Sequence, residues 1–201
     1  MRYAVAIRPR RSGSKACGRT LSIEKGLAVK VLETERLVLR WLTAEDAPFI
    51  LELLNDPSWL RFIGDKGVRN LDDAHTYIRI GPRDMYRRLG HGLYLAELKD
   101  GGIPIGLCGL IKRDTLDDVD IGFAFLPQYR SQGYAHEAAA ATLAYARNTL
   151  GMKRIVAITS PDNQASGRLL EKIGLRFEGL VRLAGGSGDV RLFGSGDDAG
   201  N

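Results

Sequence analysis

The 201-residue chain holds two cysteines and three histidines, and nowhere does it run 18 apolar residues together. Each shortage removes a class of protein. Cys17 and Cys108 are too few and too far apart for a disulfide framework or a paired-cysteine zinc site, which fits a reducing, cytoplasmic setting. His75, His91 and His136 are scattered. His136-Glu137 opens the metalloprotease helix pattern, but Ala140 stands where its second histidine belongs, so no metal is expected. The alanine-rich stretch 138–146 is interrupted by Thr142 and followed by Arg147, so it cannot cross a bilayer as a helix, and no membrane partner is expected. The GxxxxGK[ST] and GxSxG patterns are also absent, which sets aside P-loop nucleotide hydrolysis and serine-esterase chemistry.

What remains is an ordinary globular mixture, 44% hydrophobic and 26% charged, enough for one domain with a sizeable core. The formal charge of +5 is unevenly spread. Up to Lys30 there are eight lysines and arginines against Glu24 alone, a net +7, which leaves −2 for everything after it. The basic balance therefore belongs to the N-terminal segment, and the body has no excess that calls for nucleic acid. Residues 3–7 are too short for the apolar region of a secretory signal. Residues 1–30 are read as a basic, unstructured extension, 31–193 as a single domain, and 194–201, glycine-rich and acidic, as a flexible tail. A monomer or homodimer is expected.

Hydrophobic periodicity orders the domain. Residues 36–42 alternate as a strand. Thr43 and Asp46 form a capping-box-like start to a helix that reaches about Leu54, weakened early by Pro48 and stopped at Asn55-Asp56-Pro57. Residues 70–89 read as a second helical zone, bent or split near Gly81-Pro82. The period then becomes two, giving strands over 93–98, 105–111 and 119–126 in an antiparallel meander. A helix follows Gly133, with small or apolar residues down one stripe. A strand over 154–159, a helix over 163–173 and a hairpin of 175–182 with 190–193 complete an α+β fold.

Two strand-to-helix turns carry chemistry. In the first, residues 126–135, Arg130, Gly133 and Ala135 fit [Gln/Arg]-x-x-Gly-x-[Gly/Ala]. Small residues there let the backbone approach a diphosphate, and the free N–H groups and the positive end of the helix dipole offset its charge, with Arg130 adding a charged contact. Alone the pattern is also that of a plain turn. In the second, Asn163 and Ser166 share a helix face, either to bond a ligand amide and donate a proton or simply to cap and open the helix. On the third strand of the meander, Asp120 alternates onto one face with Gly122, Ala124 and Leu126. The small neighbours leave room for a ligand, and aspartate is disfavoured within strands.

Taken in order, these features resemble the GNAT superfamily of acyl-CoA-dependent N-acetyltransferases, in particular its RimJ/RimL-like branch. The carriers are residues 32–40 with 42–46, Asn55-Asp56-Pro57, Asp120-Ile121-Gly122, the 130–135 loop, and Asn163 and Ser166 continuing through 168–174. The resemblance implies a central, mostly antiparallel mixed sheet of about seven strands flanked by about four helices. It implies acetyl-CoA as cosubstrate and a primary amine as acceptor, on a protein N-terminus or a small molecule. The diphosphate would lie on the backbone of Arg130, Ser131, Gln132, Gly133, Tyr134 and Ala135. The pantetheine arm would run beside Phe125 and Leu126, where two parallel strands splay, with Asn163 bonding it. Ser166 matches the family's candidate donor to the leaving thiolate. Asp120 stands where many members have Glu, one methylene longer.

The chemistry expected is direct attack of the amine on the thioester. Asp120 or an ordered water takes the proton, a backbone N–H near Phe125 or Leu126 stabilises the oxyanion, and Ser166 donates to sulfur. From other classes come a non-catalytic acyl-CoA-binding module, or a ribosome- or RNA-associated protein using the basic arm. Acceptor choice would reside around residues 59–67 and 184–189.

Overall fold

The computed structural model describes residues 28–184 and 188–196. Eight strands form one sheet: β1 (Lys30–Glu33), β2 (Leu37–Arg40), β3 (Leu93–Leu98), β4 (Pro104–Lys112), β5 (Val119–Phe125), β6 (Ile155–Thr159), β7 (Leu175–Arg182) and β8 (Asp189–Ser195). The order across it is β1-β2-β3-β4-β5-β6-β8-β7, antiparallel throughout except for β5 beside β6. Among the described residues six α-helices accompany it: α1 (Ala47–Leu54), α2 (Pro57–Phe62), α3 (Leu71–Ile80), α4 (Pro82–Leu89), α5 (Tyr134–Asn148) and α6 (Gln164–Lys172).

Elements beyond those expected come from local chemistry. The segment read as one strand is the second arm of a hairpin, because Thr34 turns the chain: its N–H donates to Leu37 O and its hydroxyl accepts from Leu37 N–H. Pro57 ends α1 as expected, yet it also begins α2. A proline at the first helical position loses nothing, since that N–H has no intrahelical partner. Asp56 completes the start by accepting from the N–H groups of Ser58 and Trp59. Pro48 does not weaken α1, for the same reason: it sits in the first turn, behind a short 3-10 turn at Ala44–Asp46. Thr43 N–H donates to Asp46 Oδ2 at 2.7 Å, one half of the capping box. Gly81-Pro82 splits α3 from α4 where the sequence placed the break.

The sheet separates two cores. On one face, Ile121, Phe125, Leu143 and Phe193 pack with α5 and α6; on the other, Leu42, Leu95, Leu107 and Leu126 pack under α1, α2 and α3. The alternation read along β5 is the one observed. β8 continues to Ser195, two residues into the stretch read as a tail. Ser195 is fully buried and its hydroxyl accepts from Ile155 N–H, which ties β8 into the sheet. The reading of residues 1–30 as an extension falls outside the described residues for 1–27, as does that of the tail for 197–201.

Candidate active site

The two parallel strands pair only at Val119 with Ile155 and Asp120 with Val156. Beyond that point β6 takes its hydrogen bonds from β8, and the backbones of β5 and β6 part. A cavity of about 1040 Å³ fills the fork and is lined from both faces of β5, by Ile121 and Phe123 as well as Asp120, Gly122 and Ala124. Leu126 N–H donates to Ile105 O at 3.0 Å. Antiparallel alternation therefore turns the N–H groups of Phe123 and Phe125 away from β4, into the fork.

On the α5 side the loop after β5 presents bare backbone. Ser131 (φ 60°) and Gly133 (φ 86°) both adopt the left-handed conformation, which turns successive N–H groups outward. Among the described residues no hydrogen-bond acceptor meets the N–H groups of residues 131–136; the ladder of α5 starts with Glu137 N–H to Gly133 O. Six consecutive free donors at the N-terminus of a 15-residue helix make an anion cradle suited to a diphosphate. Arg130 N–H is not among them, since it donates to Pro127 O.

The loop is held from both sides by contacts that sequence spacing did not reveal. Arg130 turns inward: Nε donates to Phe125 O (2.8 Å), Nη1 to Ser58 Oγ (2.7 Å) and Nη2 to Asp56 Oδ1 (2.6 Å). Its guanidinium is therefore a brace to the start of α2, and the charged contact to a diphosphate expected of it is not available in this geometry. Burial works against the Asp56 carboxylate, but Arg130 and the two α2 N–H groups outweigh it and hold the carboxyl below its ordinary range. On the other side Arg36 donates to Gln132 O (3.1 Å), pairs with Glu137 and lies over the Tyr134 ring.

Asp120 stands where the strands part, 2% exposed, and accepts from Arg113 Nε at 2.6 Å. Burial pushes its carboxyl above the ordinary carboxylate range while Arg113 pulls the other way. Arg113 lies just beyond β4, whose Ile111 pairs with Asp120, so the hairpin register alone would have placed it there. Tyr77, from α3, also lines the cavity. Its hydroxyl has no partner among the described residues, and burial pushes it up to about 12.

Asn163 both caps α6 and faces the cavity: its Oδ1 accepts from Ser166 N–H at 3.1 Å, while its amide nitrogen has no partner among the described residues. The Ser166 hydroxyl is likewise unpartnered there and lines the same space. The fold thus brings Asp120, Phe125, Arg130, Ser131 and Gly133 to one cavity with Ala135, Asn163 and Ser166. Leu126 is not brought to it: strand alternation buries its side chain in the core under α1, and its N–H is used by Ile105. Gln132 and Tyr134 offer backbone only, the first bonding Gln128 O and the second packing against Arg36. No cluster of His, Cys, Asp or Glu suited to a metal occurs among the described residues.

Comparison with known proteins gives the family and the fold. The family described as the acetyltransferase (GNAT) domain matches residues 36–176. The Bacillus subtilis (strain 168) protein named uncharacterized N-acetyltransferase YnaD is 30% identical over 151 residues, covering 75% of this chain and 85% of its own. The crystal structure of a GNAT-family acetyltransferase from Bacillus anthracis superposes with a TM-score of 0.67 at 27% identity, covering 84% of this chain and 97% of the other. RimL, a ribosomal L7/L12 α-N-protein acetyltransferase, shares the fold, with a TM-score of 0.71 at 17% identity and coverage of 85% and 96%. The chain belongs to the GNAT family of acetyltransferases and is an N-acetyltransferase with acetyl-CoA as its cosubstrate.

Proposed function

We propose that the chain transfers an acetyl group from acetyl-CoA to a primary amine, on a protein N-terminus or a small molecule, by direct attack. The observation that carries this reading is the run of six unpartnered N–H groups opening onto the forked cavity. The diphosphate would sit on the backbone of residues 131–136, and the pantetheine arm would enter the fork past Phe125 to meet the Asn163 amide. The acetyl group would then lie near Asp120.

Asp120, directly or through a water, takes the amine proton. An α-amine with a pKa of about 8 needs little help near neutrality, so positioning contributes more than base strength. The Phe125 N–H, aimed into the fork, supports the oxyanion, and Ser166 delivers a proton to sulfur. A thiolate of pKa around 8.5 leaves without much aid, which makes the serine helpful and dispensable.

Two measurements test the reading together. Isothermal titration with coenzyme A should show one site per chain, and acetyl-CoA with an amine panel should release free thiol. Coenzyme A binding with no thiol released from any amine would leave a binding module in place of an enzyme.

A further inference from the structure

The cavity carries a strongly asymmetric charge. Among the described residues that line it there is one carboxylate, Asp120, against Lys66, Arg113, Arg130, Arg168 and Lys172. Arg168 and Lys172 lie on α6, where positive charge suits a phosphorylated donor, whereas the charge of Arg130 is met by Asp56. Lys66, in the exposed loop between α2 and α3, and Arg113, just beyond β4 and paired with Asp120, line the rest of the cavity. The walls there are apolar, built from Trp59, Phe62, Tyr77, Met85 and Ile111.

An amine reacts as the neutral base, so one amine needs only a proton acceptor, and Asp120 is placed to be it. A second ammonium on the same acceptor would find no further carboxylate among the described lining residues. Asp120 is 2% exposed and already holds Arg113, and the remaining charge there, Lys66, is of like sign. A cation desolvated without a partner is strongly disfavoured. Arg113, in contrast, has donors to spare: only its Nε is engaged among the described residues, so its Nη groups can meet a carbonyl or carboxylate beside the reacting amine.

Resting on the acetyltransferase reading above, we infer that the acceptor is a monoamine of the α-amino acyl class, with an apolar side chain and a carbonyl or carboxylate next to the amine. Polyamines and aminoglycosides are refused. The apolar side chain packs against Trp59 and Met85, and the neighbouring oxygen meets Arg113. A peptide N-terminus and a free amino acid share this chemistry.

The test measures thiol release from acetyl-CoA by the full chain with six probes: phenylalanine amide, free phenylalanine, a tripeptide beginning with phenylalanine, phenethylamine, spermidine and kanamycin. Phenylalanine amide should exceed phenethylamine about tenfold in kcat/KM, and spermidine and kanamycin about a hundredfold. The ratio among amide, amino acid and tripeptide separates the two sources. Lys66→Glu, which adds a carboxylate at an exposed loop position, should raise spermidine turnover at least fivefold with the coenzyme A Kd unchanged. Turnover confined to spermidine or kanamycin, or a phenethylamine rate equal to that of the amide, overturns this inference and leaves the acetyltransferase reading standing. Silence from all six probes while calorimetry shows coenzyme A bound overturns both.

Discussion

The two halves of the cavity are built by opposite strategies. The half proposed to hold the donor is largely contiguous in sequence: one strand end, one loop and one helix start, residues 125–136, present six N–H groups that are free among the described residues, to which the start of α6 adds Asn163 and Ser166. The acceptor half is assembled from pieces far apart, with Trp59 on α2, Tyr77 on α3, Met85 on α4 and Arg113 beyond β4. Main-chain donors bind diphosphate regardless of side chain, so short spacing rules suffice to describe the first half. Side-chain walls select an acceptor, and no spacing rule links helices that meet only in space.

The contrast predicts that damage to the donor half is absolute and damage elsewhere is graded. Gly133→Glu should have the largest effect, abolishing coenzyme A binding by calorimetry while circular dichroism stays native. It places bulk and negative charge in the cradle at φ 86°, where a side chain also costs about 1–2 kcal/mol, and a built Cβ would lie 3.2 Å from Arg36. Retained affinity would move the diphosphate elsewhere and erase the distinction.

Asp120→Asn should lower kcat about a hundredfold with the coenzyme A Kd preserved. As a base Asp120 must be ionised, and burial raises its carboxyl, so the wild-type rate should climb with pH through a value above the ordinary carboxylate range. In the variant that acid limb should vanish. A limb that persists would assign the proton to water.

Asp56→Asn weakens the Arg130 brace that joins the halves. Asparagine still caps α2, so the helix survives, while Arg130 loses its charged partner. About a tenfold loss in kcat/KM for the amine is expected, with the coenzyme A Kd within threefold. A matching loss of coenzyme A affinity would return Arg130 to the diphosphate. Smallest of all, Ser166→Ala should slow turnover by about three- to tenfold without weakening coenzyme A binding, because the thiolate leaves readily by itself. A larger loss would make the serine essential and thiolate departure rate-limiting.

Apart from β1 and α2, the order of strands and helices was legible in the chain, as were the period change at residue 93 and the break at Gly81-Pro82. Each follows from local rules: alternation and proline's missing N–H. The alternation along β5 even placed Asp120 beside Gly122 and Ala124. The sequence could not show that Arg130 points to Asp56 or that Arg36 grips Gln132. Side-chain partners 74 and 96 residues apart carry no periodic signal.

Leu126 marks the boundary most clearly. Its position beside the strand end suggested a ligand contact, yet alternation, applied one residue further, sends its side chain into the core and its N–H to Ile105. The sequence by itself determined most of the elements and the family pattern, because those depend on neighbours along the chain. The tertiary structure alone decided which charges line the cavity, because the electrostatics of a cavity depend on every element that closes it.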